Sequence, residues 1–225
     1  MSRVLVRSIG ATSARLRTSP PMRTLLRSSI STLSSNPHIK VFPDTPTPGT
    51  NLLTYLDTPT PALSVGTTTA IPPTPASFSE NPKFLPILNK VLEEHAQFDP
   101  GLIAQARAFA GPGAPSAARH DNRKKLAGDG GAGGASMQGG AGGAGRGGHV
   151  HLSDERNPPD FGRIAYPEDI LGSLEVDGTG EVVGRLEPSG TYRILTNQGI
   201  LGLSPFLRGK LVERLKAEAA KLPAA

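Results

Sequence analysis

The chain has no cysteine and no tryptophan. Without cysteine there is no disulfide framework, no Cys-ligated zinc, no iron–sulfur cluster and no thiol nucleophile. Aromatic residues make up only 4% of the 225 positions, so large core-filling side chains are scarce. Every apolar run falls far short of the roughly 18 residues that a membrane-spanning helix needs. Acidic residues are missing from positions 1–32. Glycine (27) and proline (22) are in excess, and they are concentrated in particular stretches.

The net charge of +5 would suit a nucleic-acid partner, but its placement argues against one. Residues 1–32 hold Arg3, Arg7, Arg15, Arg17, Arg23 and Arg27, with many Ser and Thr and with scattered Val, Leu and Ile. A basic, hydroxylated, acid-free stretch of this kind is the signature of a mitochondrial targeting peptide. Arg23-x-Leu25-x-x-Ser28 resembles a two-step processing site, with the mature end near Leu33. Beyond position 32 the chain carries 18 basic and 19 acidic residues. A near-neutral chain has no general electrostatic attraction for phosphate backbones, so no strong direct nucleic-acid binding is expected. The address points to the mitochondrion, with the matrix as the expected compartment. A peripheral association with the inner membrane is compatible with it.

Residues 33–79 are rich in Pro, Thr and Ser, and Asp44-Thr-Pro-Thr-Pro48 recurs as Asp57-Thr-Pro-Thr-Pro61. Proline removes backbone donors and biases its predecessor toward extended conformations, so the segment is expected to be extended and unpaired. Leu52, Leu53, Tyr55 and Leu56 form an apolar island that either stays in a free linker or docks into a groove on a partner or on the protein's own globular part. The Thr-Pro pairs also fit proline-directed phosphorylation.

Residues 80–110 read as a helical hairpin. Asn81-Pro82 and Asp99-Pro100 each offer a cap followed by proline at the first helical position. Phe84, Leu88, Val91, Leu92 and His95 make one stripe, and Leu102, Ile103, Ala106 and Phe109 another. Residues 111–148 are low in complexity: from Gly128 to Gly148, 12 of 21 residues are glycine. Such a segment has little to bury and is expected to be a disordered linker. Its Gly-x-Gly-x-x-Gly lacks the flanking strand, helix and later acid of a dinucleotide site.

Residues 149–222 read as a small α+β unit. Leu174/Val176, Val182/Leu186 and Tyr192/Ile194 suit a three-stranded β-meander turned at 177–180 and 188–190, with Glu175, Arg185 and Arg193 as a cross-strand charge ladder. Ser204-Pro205 caps an amphipathic C-terminal helix with Leu207, Leu211, Val212, Leu215, Ala219 and Leu222 on its stripe. His149 and His151 share a strand face, but no third ligand stands at a diagnostic spacing. No metal and no cofactor is expected. The fold class is therefore α+β: a small meander with a C-terminal helix, a separate helical hairpin, and extensive disordered Pro/Thr- and Gly-rich segments.

Asn81-Pro-Lys-Phe-Leu85, Pro167-Glu-Asp-Ile-Leu-Gly-Ser173, Ser189-Gly-Thr-Tyr-Arg193 and Gly199-Ile-Leu-Gly-Leu-Ser-Pro-Phe-Leu-Arg208 resemble a family of uncharacterised fungal mitochondrial proteins. The resemblance covers residues 80–110 and 149–216. It supports the address and the domain limits and implies no activity.

Three roles remain. The first is a non-enzymatic accessory, assembly or scaffolding protein that binds a larger protein complex in mitochondria. Its candidate contacts are Phe161, Arg163, Tyr166 and Phe206, since aromatic and Arg side chains anchor most interfaces. Core packing is the competing use of Phe161, Tyr166 and Phe206. The second is an RNA-associated or mitoribosome-associated factor acting through protein contacts. The third is a small hydrolase-type enzyme using carboxylates around Glu168 and Asp169, with Asp154, Glu155 and Asp160 nearby and Arg156 and Arg163 among them. No nucleophile is paired with a base, so no catalytic residue is assigned, and Glu168-Asp169 reads more simply as a helix-start charge pair.

Overall fold

A computed structural model describes residues 31–110, 147–160 and 163–222. Residues 1–30, where a targeting peptide is expected, and residues 111–146 of the Gly-rich segment lie outside the described residues. Thirteen elements follow in order: β1 (Ser31–Thr32), β2 (Lys40–Pro43), β3 (Asn51–Thr54), β4 (Gly66–Thr68), β5 (Phe78–Glu80), α1 (Phe84–His95), α2 (Pro100–Ala110), β6 (Gly148–Ser153), β7 (Ile170–Val176), β8 (Val182–Pro188), β9 (Leu195–Thr196), β10 (Gly199–Ile200) and α3 (Pro205–Ala219). Helices and antiparallel sheets are mixed, so the class is α+β.

The Pro/Thr-rich stretch overturns its expectation. Residues 31–80 form a five-stranded antiparallel sheet, β1-β2-β3-β4-β5. The prolines sit where a sheet tolerates them. Pro43 ends β2, and Pro46, Pro48, Pro59, Pro61, Pro72, Pro73 and Pro75 lie in the connections. The strand interiors are free of proline. The apolar island Leu52, Leu53, Tyr55, Leu56 is buried in the protein's own core.

The two copies of Asp-Thr-Pro-Thr-Pro do different work. The first makes the β2–β3 turn, where the Asp44 carboxylate accepts from the Gly49 amide at 2.9 Å. In the second, Asp57 pairs with Lys40 and Pro61 opens a 3-10 turn, Pro61–Leu63. The Asn81 amide then donates to the carbonyls of Pro61, Ala62 and Ser64. Asn81 thus closes that turn, and α1 starts at Phe84 with no side-chain cap. At Gly66 a Cβ would stand 2.4 Å from the Ser79 carbonyl oxygen and 2.6 Å from the Phe78 ring, so only glycine lets β5 approach β4.

The second sheet has the order β6-β7-β8. The Asp177 turn between β7 and β8 is as expected: the carboxylate accepts from Thr179 and Glu181 amides. The third strand is not. Gly148–Ser153 pairs with β7 over six residues, whereas residues 192–194 lie outside any sheet. Tyr192 and Ile194 are buried in alternation with exposed Arg193, but the Arg193 amide donates to the Glu168 carbonyl in a loop, and the Ile194 carbonyl accepts from the Leu201 amide. Alternation reports burial, and both arrangements bury the same side chains. Glu175, Arg185 and Arg193 form no charge ladder among the described residues; none of them is in an ion pair.

The helical hairpin is not separate. One hydrophobic cluster runs from Leu33 through β2, β3, α1, α2 and both sides of the second sheet to Leu215 on α3. The helices agree with their patterns: Phe84, Leu88, Val91 and Leu92 are buried on α1, Leu102 and Ala106 on α2, and Leu207, Leu211 and Leu215 on α3. Leu222 is 41% exposed and drops out of the stripe. Asp99 caps α2 by accepting from the Leu102 amide at 3.1 Å. Its other oxygen accepts from the Ser204 hydroxyl, and Ser204 in turn caps α3 through the Leu207 amide at 3.2 Å. One carboxylate therefore ties two helix starts together.

Candidate functional site

The connection between β6 and β7 is a 16-residue loop, Asp154–Asp169, whose ends meet: the Asp154 amide donates to the Asp169 carbonyl at 2.8 Å. Long loops with joined ends are disproportionately functional. Before β7 it makes the 3-10 turn Pro167–Asp169, so Glu168-Asp169 do stand in the first turn of a helical element, but one of three residues and not an α-helix.

The base of the loop holds a buried charge cluster. Arg156 Nε donates to Asp169 Oδ1 at 2.8 Å, Nη1 to the Ile194 carbonyl at 2.9 Å and Nη2 to the Glu168 carbonyl at 2.8 Å. The Asn157 amide donates to Asp169 Oδ2 at 3.0 Å. Asp154 Oδ1 accepts from the amides of Arg156 (2.9 Å) and Gly202 (2.8 Å), and Oδ2 accepts from the Tyr192 hydroxyl at 2.7 Å. The Arg156 guanidinium lies 5.4 Å from the centre of the Tyr192 ring, within cation–π range. The side chains of Arg156, Asp154 and Asp169 are 3%, 0% and 1% exposed.

Burying three charges costs several kcal/mol per ion before pairing, so they persist only where their buried polar atoms are hydrogen-bonded. Here they are: among the described residues no buried side-chain nitrogen or oxygen lacks a hydrogen-bond partner. Gly202 is needed for this closure, because a Cβ there would stand 2.8 Å from the Arg156 amide nitrogen. Burial raises the Asp154 carboxyl above its ordinary value, although the Arg156 charge and the donated hydrogen bonds oppose it. Burial, and then the Asp154 charge, raises the Tyr192 and Tyr55 hydroxyls. The cluster also reaches the first sheet. The Leu201 carbonyl, one residue before Gly202, accepts from Asn36 at 2.7 Å and from the Tyr55 hydroxyl at 3.4 Å.

Above this base the loop turns outward. The Arg163 side chain is 78% exposed, Ile164 42% and Tyr166 65%. Phe161 lies outside the described residues. Phe206 sits in the first turn of α3, half-buried against the core, so packing occupies it. Glu168 is exposed whereas Asp169 is buried, so the two carboxylates do not share a pocket. A cleft of about 260 Å³ lies beside the loop base, lined among others by Asp99, Gln105, Ser153, Glu155 and Ser204. The acids in and beside it do not form an acid/base pair: Asp99 is consumed by its two caps. His149 is exposed on β6, and the His151 Nδ1 bonds the Ser173 hydroxyl at 2.8 Å. No group of three His, Cys, Asp or Glu among the described residues is placed to hold a metal. No helix among them is long and apolar enough to cross a membrane.

Sequence reasoning grouped Asp154, Arg156 and Asp169 but missed Tyr192 and Asn157. The one available signal was Asp154-x-Arg156-Asn157 ahead of Pro158-Pro159, a charged turn next to a strand. No protein-family model, no curated protein and no solved structure matches the chain.

Proposed function

We propose that the protein is a non-enzymatic accessory, assembly or scaffolding protein of mitochondria, and that it binds a larger protein complex through the outward face of the Asp154–Asp169 loop. One observation carries the reading. The loop presents Arg163, Ile164 and Tyr166 to solvent while its base is immobilised by a fully satisfied buried charge cluster. A recognition loop ordered before binding loses less conformational entropy when its partner arrives. Arginine and tyrosine are the side chains most often found as interface anchors. The mitochondrial address rests on the basic, acid-free leader.

The test is recovery of the tagged full-length protein from gently solubilised mitochondria, with mass spectrometry and native-gel sizing. The wild type should co-migrate with one large complex in stoichiometric amount. Arg163→Ala combined with Tyr166→Ala should lower partner recovery at least about tenfold, as expected for loss of two anchors, without lowering the melting temperature. Migration of the wild type as a free single chain, at or below the 23.4 kDa of the uncut protein, or unchanged recovery by the double variant, refutes the reading.

A further inference from the structure

The first strand is short and exposed. Ser31 and Thr32 are both exposed, and they pair with β2 over two residues only, Ser31 opposite Val41 and Thr32 opposite Lys40. The next residue is different in kind. Leu33 is 2% exposed in the core, and its amide donates to the Ile39 carbonyl at 3.1 Å. Asn36 then turns the chain, bonding the Ile39 amide through its carbonyl and the Leu201 carbonyl through its side chain. The step from the exposed strand to the core is therefore the Thr32–Leu33 bond. The mature end expected from Arg23-x-Leu25-x-x-Ser28 also lies near Leu33. These are independent observations, one of packing and one of residue spacing.

We propose that Thr32–Leu33 is the scissile bond of a second maturation cut, made by a peptidase acting on imported chains, and that β1 belongs to the precursor alone. The inference rests on the mitochondrial reading. Water adds across the bond: the C–N bond breaks, Thr32 leaves as a carboxylate and Leu33 keeps an α-ammonium. That ammonium keeps a proton to donate to the Ile39 carbonyl, the bond the Leu33 amide makes in the intact chain. The pairing of Ser31 and Thr32 with β2 is too short by itself to offset the entropy of holding a cut end in place. Loss of β1 turns β2 into a sheet edge, and that edge is already guarded. It is four residues long, begins with Lys40 and ends with Pro43, features that discourage edge-to-edge pairing. A cut further along would take Leu33 out of the core.

The deciding experiment is the N-terminal residue of the endogenous, C-terminally tagged protein, read by terminal-amine labelling and mass spectrometry in mitochondrial and cytosolic fractions. A mitochondrial chain beginning at Leu33 is the expected result. A mitochondrial chain beginning at Leu25, Ser31 or any other residue overturns the inference and leaves the address standing. An uncut chain confined to the cytosol overturns both. Arg23→Ala should abolish the Leu33 terminus and leave a longer chain in its place, and persistence of Leu33 in that variant also overturns the inference.

Discussion

The two sheets are held by different kinds of polar interaction. In the first, the buried polar groups are neutral: Asn36, Thr54, Ser64 and Thr68. Apart from Asn36, which also reaches the distant Leu201 carbonyl, they close turns and bond neighbouring backbone, as when the Thr54 hydroxyl accepts from the Leu56 amide and the Thr68 hydroxyl donates to the Ala70 carbonyl. In the second, the buried polar groups beside β6 and β7 are charged, and one guanidinium binds two carboxylates and two carbonyls across sequence gaps of up to 38 residues. Neutral local bonds shape a chain whose strands are short and whose connections are crowded with proline. Charged long-range bonds fix a loop that has almost no regular structure of its own. The first arrangement fails piecemeal. The second fails all at once, because removing one partner leaves the others buried without compensation.

Arg156→Ala tests that asymmetry most severely. It strands Asp154 and Asp169 in the interior and should cost about 3–5 kcal/mol in urea or thermal unfolding. The matched lesion in the first sheet is Gly66→Ala. Its new methyl meets the Ser79 carbonyl and the Phe78 ring, so a cost of about 1–3 kcal/mol is expected from overpacking. A Gly66 variant that destabilises more than the Arg156 variant would reverse the comparison.

Two tyrosines sharpen it further. The Tyr192 hydroxyl donates to the Asp154 carboxylate at 2.7 Å, and the Tyr55 hydroxyl reaches the neutral Leu201 carbonyl at 3.4 Å. Tyr192→Phe should cost about 1.5–3 kcal/mol and Tyr55→Phe about 0.5–1 kcal/mol, following the difference between charged and neutral acceptors. Equal costs in the two variants would mean that the charge at Asp154 adds nothing.

The smallest effects are in pH dependence, and both lie in the second sheet. Burial, and then the neighbouring His149, lowers His151 from its ordinary 6.5. A lowered histidine contributes stability that is present above 6.5 and is lost as pH falls through its folded value. Asp154 has the opposite sign. Its raised carboxyl contributes stability present below 3.8, and that contribution is lost as pH rises through the folded value. Denaturant titrations at stepped pH should therefore show His151→Asn losing less stability than the wild type between pH 7 and 5.5. Asp154→Asn should gain relative to the wild type as pH rises from 3.8 through the Asp154 folded value, and no further beyond it. Parallel curves for wild type and variants would remove both assignments.

The helices were legible because their evidence is local. A 3.6-residue stripe with Asp99-Pro100 or Ser204-Pro205 in front specifies a face and a start, and both caps form as read. Asn81 shows the limit of that logic: the same cap-plus-proline pattern was recruited to hold three carbonyls 17 to 20 residues away. The strands of residues 31–80 were illegible because proline density was averaged over the stretch, whereas a ladder depends on where each proline falls. In the candidate site, Arg163 and Tyr166 were picked out as exposed anchors from residue type alone. That Phe206 is half-buried against the core could not be read the same way, since burial of one aromatic depends on what crosses above it.

By itself the sequence determined the α+β class, the three helices, the Asp177 turn and the absence of any long apolar span, because each depends on neighbours within one or two turns of chain. Tertiary structure alone decided that residues 31–80 are a sheet, that β6 and not residues 192–194 completes the second sheet, and that Asp99 caps two helices. It also decided that Arg156 lies between Asp169 and Tyr192. The physical reason is common to all four: strand pairing and buried-charge compensation are contracts between distant segments. Their free energy appears only when both parties are in place.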